Sequence, residues 1–206
     1  MKVVRMVFPY NPKNATAYAR AYALYDRVPR QDRLFYYSDG NDCANFVSQC
    51  VWAGYGGWIE GTDPKTIEAN RSRIKSHIRM APFVWYGSPD FSGSGKWCRV
   101  AEFYTYALSD KGFGPRAAKI AEGTWESVSP GIIREGDVLQ MVVQSYIPGQ
   151  YGHSVYVTKA GRTWNDILIC CHSYDRLDEP LSWFAMQPGQ YSRLRVMRFY
   201  SASFYK

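Results

Sequence analysis

The spacing of apolar residues changes character partway along the chain, and that change limits the folds open to it. Before Pro130, apolar positions recur at helical intervals. Ala15, Tyr18, Tyr22 and Tyr25 stripe residues 14–27 behind Asn14 as a candidate N-cap, and residues 42–53 form a second helix closed by Gly54. A basic helix is expected over 64–80 and another over 97–108. After Pro130 the chain turns to apolar or alternating runs at 137–144, 152–159, 167–173 and 193–199, punctuated by Pro148-Gly149 and Ala160-Gly161. Helices first and antiparallel strands last is the α+β pattern. With 206 residues and no repeat or linker, the expectation is one domain over 1–206, its core at about 15–200, with a helix packed on a sheet formed by the C-terminal third.

Composition narrows the functional classes. Hydrophobic residues make up 46% and aromatics 17%, which supplies a core and excludes a disordered chain. No run approaches the roughly 20 apolar residues that a spanning helix needs. The formal charge of +7 favours an anionic partner. The densest basic run, 71–79, has the spacing of a solvated helix face, and no nucleic-acid motif accompanies it. Five cysteines are an odd number for a disulfide framework. Cys43 and Cys50 would stand roughly 10 Å apart on one helix, too far to bridge. Adjacent Cys170 and Cys171 would point to opposite faces of a strand. No paired Cys-x-x-Cys suggests zinc, so neither a metal nor another cofactor is expected. The first ten residues are too short and interrupted for a signal peptide. The chain is therefore expected in the cytoplasm, or outside the cell if an export segment has been removed, and as a monomer.

The stretch Gly40-Asn41-Asp42-Cys43-Ala44-Asn45-Phe46-Val47-Ser48-Gln49-Cys50 carries the chemistry. A polar turn delivers Cys43 to the first turn of an apolar-striped helix. Amide N–H groups and the helix dipole there favour negative charge, which predicts a thiolate near neutral pH. The same N–H groups can donate to an oxyanion. A nucleophilic thiol needs a base, and only His77, His153 and His172 exist. His77 lies in the basic run and reads as a surface residue. His153 opens a strand after a Gly-containing turn, a position from which it can face a helix N-terminus. His172 ends the next strand, from which it could orient His153. Asn45 and Gln49 read as structural hydrogen-bonding groups. Asn41 is a candidate oxyanion donor, and Asp42 a candidate helix cap or substrate contact. Trp97 and the neighbouring rings Trp52, Tyr55, Trp58, Trp85 and Tyr86 either pack the core or line a groove for an extended ligand.

These residues resemble the bacterial amidase-domain family of the papain-like superfamily, related to the NlpC/P60 and CHAP cysteine hydrolases. Asp42-Cys43-x-Asn45-Phe46-Val47-Ser48-Gln49 is similar to its signature. Tyr18–Ala23, Trp97-Cys98-Arg99, Gly136-Asp137, His153-Ser154-Val155-Tyr156 and His172-Ser173-Tyr174-Asp175 follow in the family's order, over about residues 15–185. Ala44 stands where the family more often has Thr, and Cys98 interrupts the Trp-Arg element. The resemblance implies a papain-like fold with Cys43 as nucleophile, His153 as general base and acid, and His172 as the orienting third residue, or Asp175 in its place. It also implies a peptide or amide substrate, with cell-wall peptides as the family's usual target; the positive charge suits an anionic wall polymer. Two other functions fit the same residues: a non-catalytic binding module on this scaffold, and acyl transfer to an amine as in transglutaminase-like enzymes.

Overall fold

The computed structural model describes residues 4–205. Among the described residues seven strands form one antiparallel sheet: β1 (Arg5–Phe8), β2 (Gly114–Gly123), β3 (Val138–Val143), β4 (Tyr151–Lys159), β5 (Leu168–Cys171), β6 (Arg176–Pro180) and β7 (Tyr191–Tyr205). The order is β1-β7-β3-β4-β5-β6, and β2 also pairs with β7. Six helices accompany it: α1 (Pro12–Tyr22), α2 (Cys43–Gly54), α3 (Pro64–Lys75), α4 (Gly95–Cys98), α5 (Val100–Leu108) and α6 (Ser182–Ala185). The architecture is α+β as expected, but β1 and β2 lie outside the C-terminal third. β1 is mostly exposed and β2 is alanine-rich and charged, so neither has the apolar run by which strands are read.

Helix boundaries follow local chemistry. Asn11, not Asn14, caps α1 by accepting from the Lys13 and Asn14 N–H groups, and Asp63 caps α3 in the same way. α3 stops at Lys75, short of the expected 80, and His77 and Arg79 adopt left-handed backbone. The expected helix over 97–108 is broken at Arg99, where the backbone is extended.

Side-chain alternation divides the core between the two faces of the sheet. On one face α1, α2 and α5 pack with Val138, Tyr156, Cys170 and Met197. On the other, Leu139, Met141, Val155, Val157, Ile169, Cys171, Leu194 and Val196 lie under Trp125, Leu181 and Phe184. Every residue of α2 is buried, so its entire length is held within the protein and its N-terminus is fixed in position. No helix among the described residues is long and apolar enough to cross a membrane.

β4 carries an irregularity. Met141 pairs with His153 while the next residue of β3, Val142, pairs with Tyr151, so Gly152 is the extra residue of a bulge. The bulge reverses the alternation. His153 keeps the face of Val155 and Val157, whereas Tyr151 turns to the helix side. A Cβ at position 152 would stand 2.8 Å from the Tyr146 ring, so the bulge uses a residue without one.

Candidate active site

Cys43 is the first residue of α2, and its sulfur lies against the edge of β4. β5 pairs with β4 only at Tyr156, Val157 and Lys159, leaving the β4 residues before Tyr156 without a β5 partner. The thiol sits in that gap: Sγ approaches the Gly152 carbonyl at 3.9 Å, and the nearby Ser154 amide favours its charged form. The amides of Cys43 and Ala44 also point at the sulfur. Burial nevertheless outweighs these donors and pushes the thiol up to about 11, with the Asp42 carboxylate adding to the rise. Cys43 is only 7% exposed, and taking a thiolate out of water costs more than three amides return. The expected thiolate near neutral pH is thus replaced by a resting thiol.

His153 lies in the same strand segment, on its other face. Its ring centroid is 5.6 Å from that of Phe184 and 6.5 Å from that of Tyr191. Burial first, and the Arg176 charge second, push its pKa down to about 4, so the imidazole is neutral at pH 7. Among the described residues no hydrogen bond joins its ring to Cys43. The backbone brings the two residues together, since Sγ spans Gly152 and Ser154 on either side of His153.

His172 does not orient His153. Alternation along β5 sends Ile169 and Cys171 to the His153 face and Cys170 and His172 to the helix side. There the His172 ring stacks on Phe46, with centroids 4.1 Å apart. Its Nδ1 is 2.6 Å from Asp42 Oδ2 and its Nε2 is 2.9 Å from the Tyr22 carbonyl. A carbonyl only accepts, so Nε2 carries a proton. The Nδ1–Oδ2 bond then holds a second proton, which makes the couple either imidazolium–carboxylate or imidazole–carboxylic acid. Asp175, the alternative third residue, accepts from the Tyr25 N–H and the Tyr37 hydroxyl instead.

The remaining candidates also have definite places. Asp42 is wholly buried and does not cap α2 with its side chain. Its Oδ1 accepts from the Ser38 N–H and from Asn45 Nδ2, so it is not free for substrate. Asn45 also donates to the Tyr36 carbonyl and accepts from the Trp97 indole N–H at 2.6 Å. A continuous network, Trp97–Asn45–Asp42–His172–Tyr22, therefore runs beneath the start of α2. Trp97 has no exposed surface and packs on Phe35 and Trp85, which makes it a core bracket rather than a substrate contact. Asn41 is exposed at the turn before α2, its N–H bonded to the Ser38 carbonyl. Gln49 accepts from the Tyr18 hydroxyl, a buried network role as expected. His77 meets the edge of Tyr86.

The structure adds residues that sequence reasoning missed. Ser154, Gln140 and Arg195 stand side by side across β4, β3 and β7, on the helix face. The available signal was Gln140, a lone amide inside the run Val138-Leu139-Gln140-Met141-Val142-Val143.

A family model described as Putative amidase domain matches residues 9–195. No curated protein and no solved structure matched the chain. The matched span runs from before α1 into β7 and contains Cys43, Asp42, His153 and His172. Family membership points to hydrolysis of an amide bond. The chain belongs to the putative amidase domain family.

Proposed function

We propose that the protein is a cysteine-dependent amidase or peptidase, a single papain-like domain that cleaves an amide bond in a peptide, with an anionic cell-wall polymer as the substrate class favoured by its +7 charge. Cys43 Sγ attacks the carbonyl carbon while neutral His153 takes the thiol proton. His153 then returns that proton to the departing amine as the C–N bond breaks. Water, deprotonated by His153, cleaves the thioester and releases the acid. The resting thiol is held by the backbone of β4, and substrate entering along the unpaired edge displaces it toward the imidazole. Catalytic hydrogen bonds often tighten only when substrate is present. Phe184 and Tyr191 fix the ring by packing in place of a polar third residue. The network under α2 keeps the nucleophile at the helix N-terminus, where N–H groups can receive the oxyanion.

The observation that carries this reading is the seat of the Cys43 sulfur at the N-terminus of a buried helix, against the strand segment that contains His153. The absence of a Cys43–His153 hydrogen bond among the described residues favours the rival reading, a non-catalytic binding module. Release of amine from wall-derived stem peptides, measured for the wild type, Cys43→Ala and His153→Asn, separates them. Turnover in the wild type with loss in both variants is expected, each variant retaining its far-UV and near-UV circular dichroism. Undiminished turnover in Cys43→Ala refutes the mechanism. Hydroxamate formation on adding hydroxylamine measures the share of acyl transfer to amines.

A further inference from the structure

Arg195 is an unusual cation. It is 8% exposed, and the described residues place no carboxylate within salt-bridge distance of it. Its guanidinium is enclosed on two sides by aromatic rings, 3.4 Å from the Tyr104 centroid and 3.9 Å from that of Tyr151. Nε and Nη2 both donate to one oxygen, Gln140 Oε1, at 2.9 and 2.6 Å. The Gln140 amide is locked in that orientation because its Nε2 donates to the Val100 carbonyl. The nearest acid on the neighbouring strand, Glu122, is engaged by Lys119 and the Tyr151 hydroxyl. Nη1 makes no hydrogen bond among the described residues and is not among the sealed, partnerless nitrogens.

The position of this charge is as informative as its state. Arg195 pairs with Gln140, and Gln140 with Ser154, in one row across the sheet. The Ser154 amide lies beside the Cys43 sulfur, while the serine's own hydroxyl is buried without a partner. Two strand spacings of about 4.8 Å therefore separate the backbone of Arg195 from that of Ser154. An extended peptide advances about 3.4 Å per residue, so this separation, between a covered Ser154 and Arg195, equals about three residues of a substrate passing beside the row.

We infer that Arg195, held between Tyr104 and Tyr151, is a carboxylate-binding subsite, and that the substrate carries an acidic group within about three residues of the bond that Cys43 attacks. A planar guanidinium whose stacked faces and Nε edge are already fixed offers its Nη1 edge to a carboxylate with little conformational entropy left to lose. Burial lowers the pKa of the guanidinium by making its charge costly, and an incoming anion relieves that cost. The subsite's catalytic meaning rests on the amidase reading, but its occupancy does not.

The test uses binding and requires no turnover. Cys43→Ala protein with 15N-labelled arginine is titrated to 50 mM with N-acetylglutamate and, separately, with N-acetylglutamine, following the Arg195 Nε–Hε resonance assigned by comparison with Arg195→Lys. N-acetylglutamate is expected to shift that resonance with an affinity about tenfold above that of the amide isostere, and the difference should shrink in 0.5 M NaCl. No shift with the acid, or equal shifts with both ligands, overturns the inference. Arg195→Gln in the same background should abolish the acid's advantage, read by chemical shifts of backbone amides in β4. An advantage that survives that substitution places the anion elsewhere and also overturns it. Failure of the amidase reading would appear instead as turnover unaffected by Cys43→Ala.

Discussion

Raising the pH under a fixed dose of iodoacetamide tests the electrostatics of Cys43 directly. Only the thiolate alkylates. With burial pushing the thiol to about 11, about one molecule in 10⁴ carries the thiolate at pH 7. An ordinary cysteine near pKa 8.5 would be about 3% ionised, so Cys43 should react about 300-fold more slowly before restricted access is counted. Its rate should rise about tenfold per pH step from 7 to 10 with no plateau. Cys98, the half-exposed thiol, is replaced by serine, and peptide mass spectrometry assigns each adduct. Circular dichroism at each pH establishes that the fold persists. A plateau at or below pH 8 would refute the reasoning, because it would mean that the amides around Sγ, or an imidazolium, outweigh burial. A low, flat profile would also count against it by making access, not ionisation, the barrier.

The remaining predictions concern His153 and the buried acid beside the nucleophile. If the competent state is neutral thiol with neutral imidazole, kcat/KM should stay level from about pH 5 to 10, with its acid limb near 4. His153 binds protons less readily folded than unfolded, so stability is complete above pH 6.5 and falls as the pH drops from 6.5 toward 4, by about 3 kcal/mol in all. Urea melts at pH 7 and 4.5 should show that loss in the wild type and a smaller one in His153→Phe. Asp42→Ala strips partners from the Ser38 N–H, Asn45 Nδ2 and His172 Nδ1 and should cost about 3–5 kcal/mol in urea unfolding at pH 7. A cost under 1 kcal/mol would show that the network does not hold the start of α2.

Much of this arrangement was legible because some signals are local. The helical stripe of Tyr18 and Tyr22, the start of a helix at Cys43, and the apolar runs of β3, β4 and β5 depend on neighbours within a few residues. Asn45 and Gln49 could be read as structural because polar groups inside an apolar helix need partners. The strands β1, β2 and β6 were not legible, because edge positions let Arg5, Lys119 and Asp178 remain half-exposed or exposed and erase the apolar pattern. The partner of His172 is not legible, because the face it takes depends on where β5 starts its alternation, and that sends it to Asp42 and Phe46. The state of the Cys43 thiol is not legible for a related reason: a helix N-terminus is visible in sequence, whereas the depth at which it is buried is not. The row Ser154–Gln140–Arg195 exists only through strand register, which residues as distant as 140 and 195 settle together.

The extra residue at Gly152 has a consequence for how this chain can tolerate insertions and deletions. Changes in the hairpin turn at 145–149 alter only the length of a surface excursion. A change that pulled β4 into regular pairing, with Gly152 rather than Tyr151 opposite Val142, would send the Tyr151 ring through to the opposite side, uncovering the guanidinium it shields. Relatives that lengthen or shorten this hairpin should do so in the turn, and keep the offset between the aromatic and the imidazole that follows it.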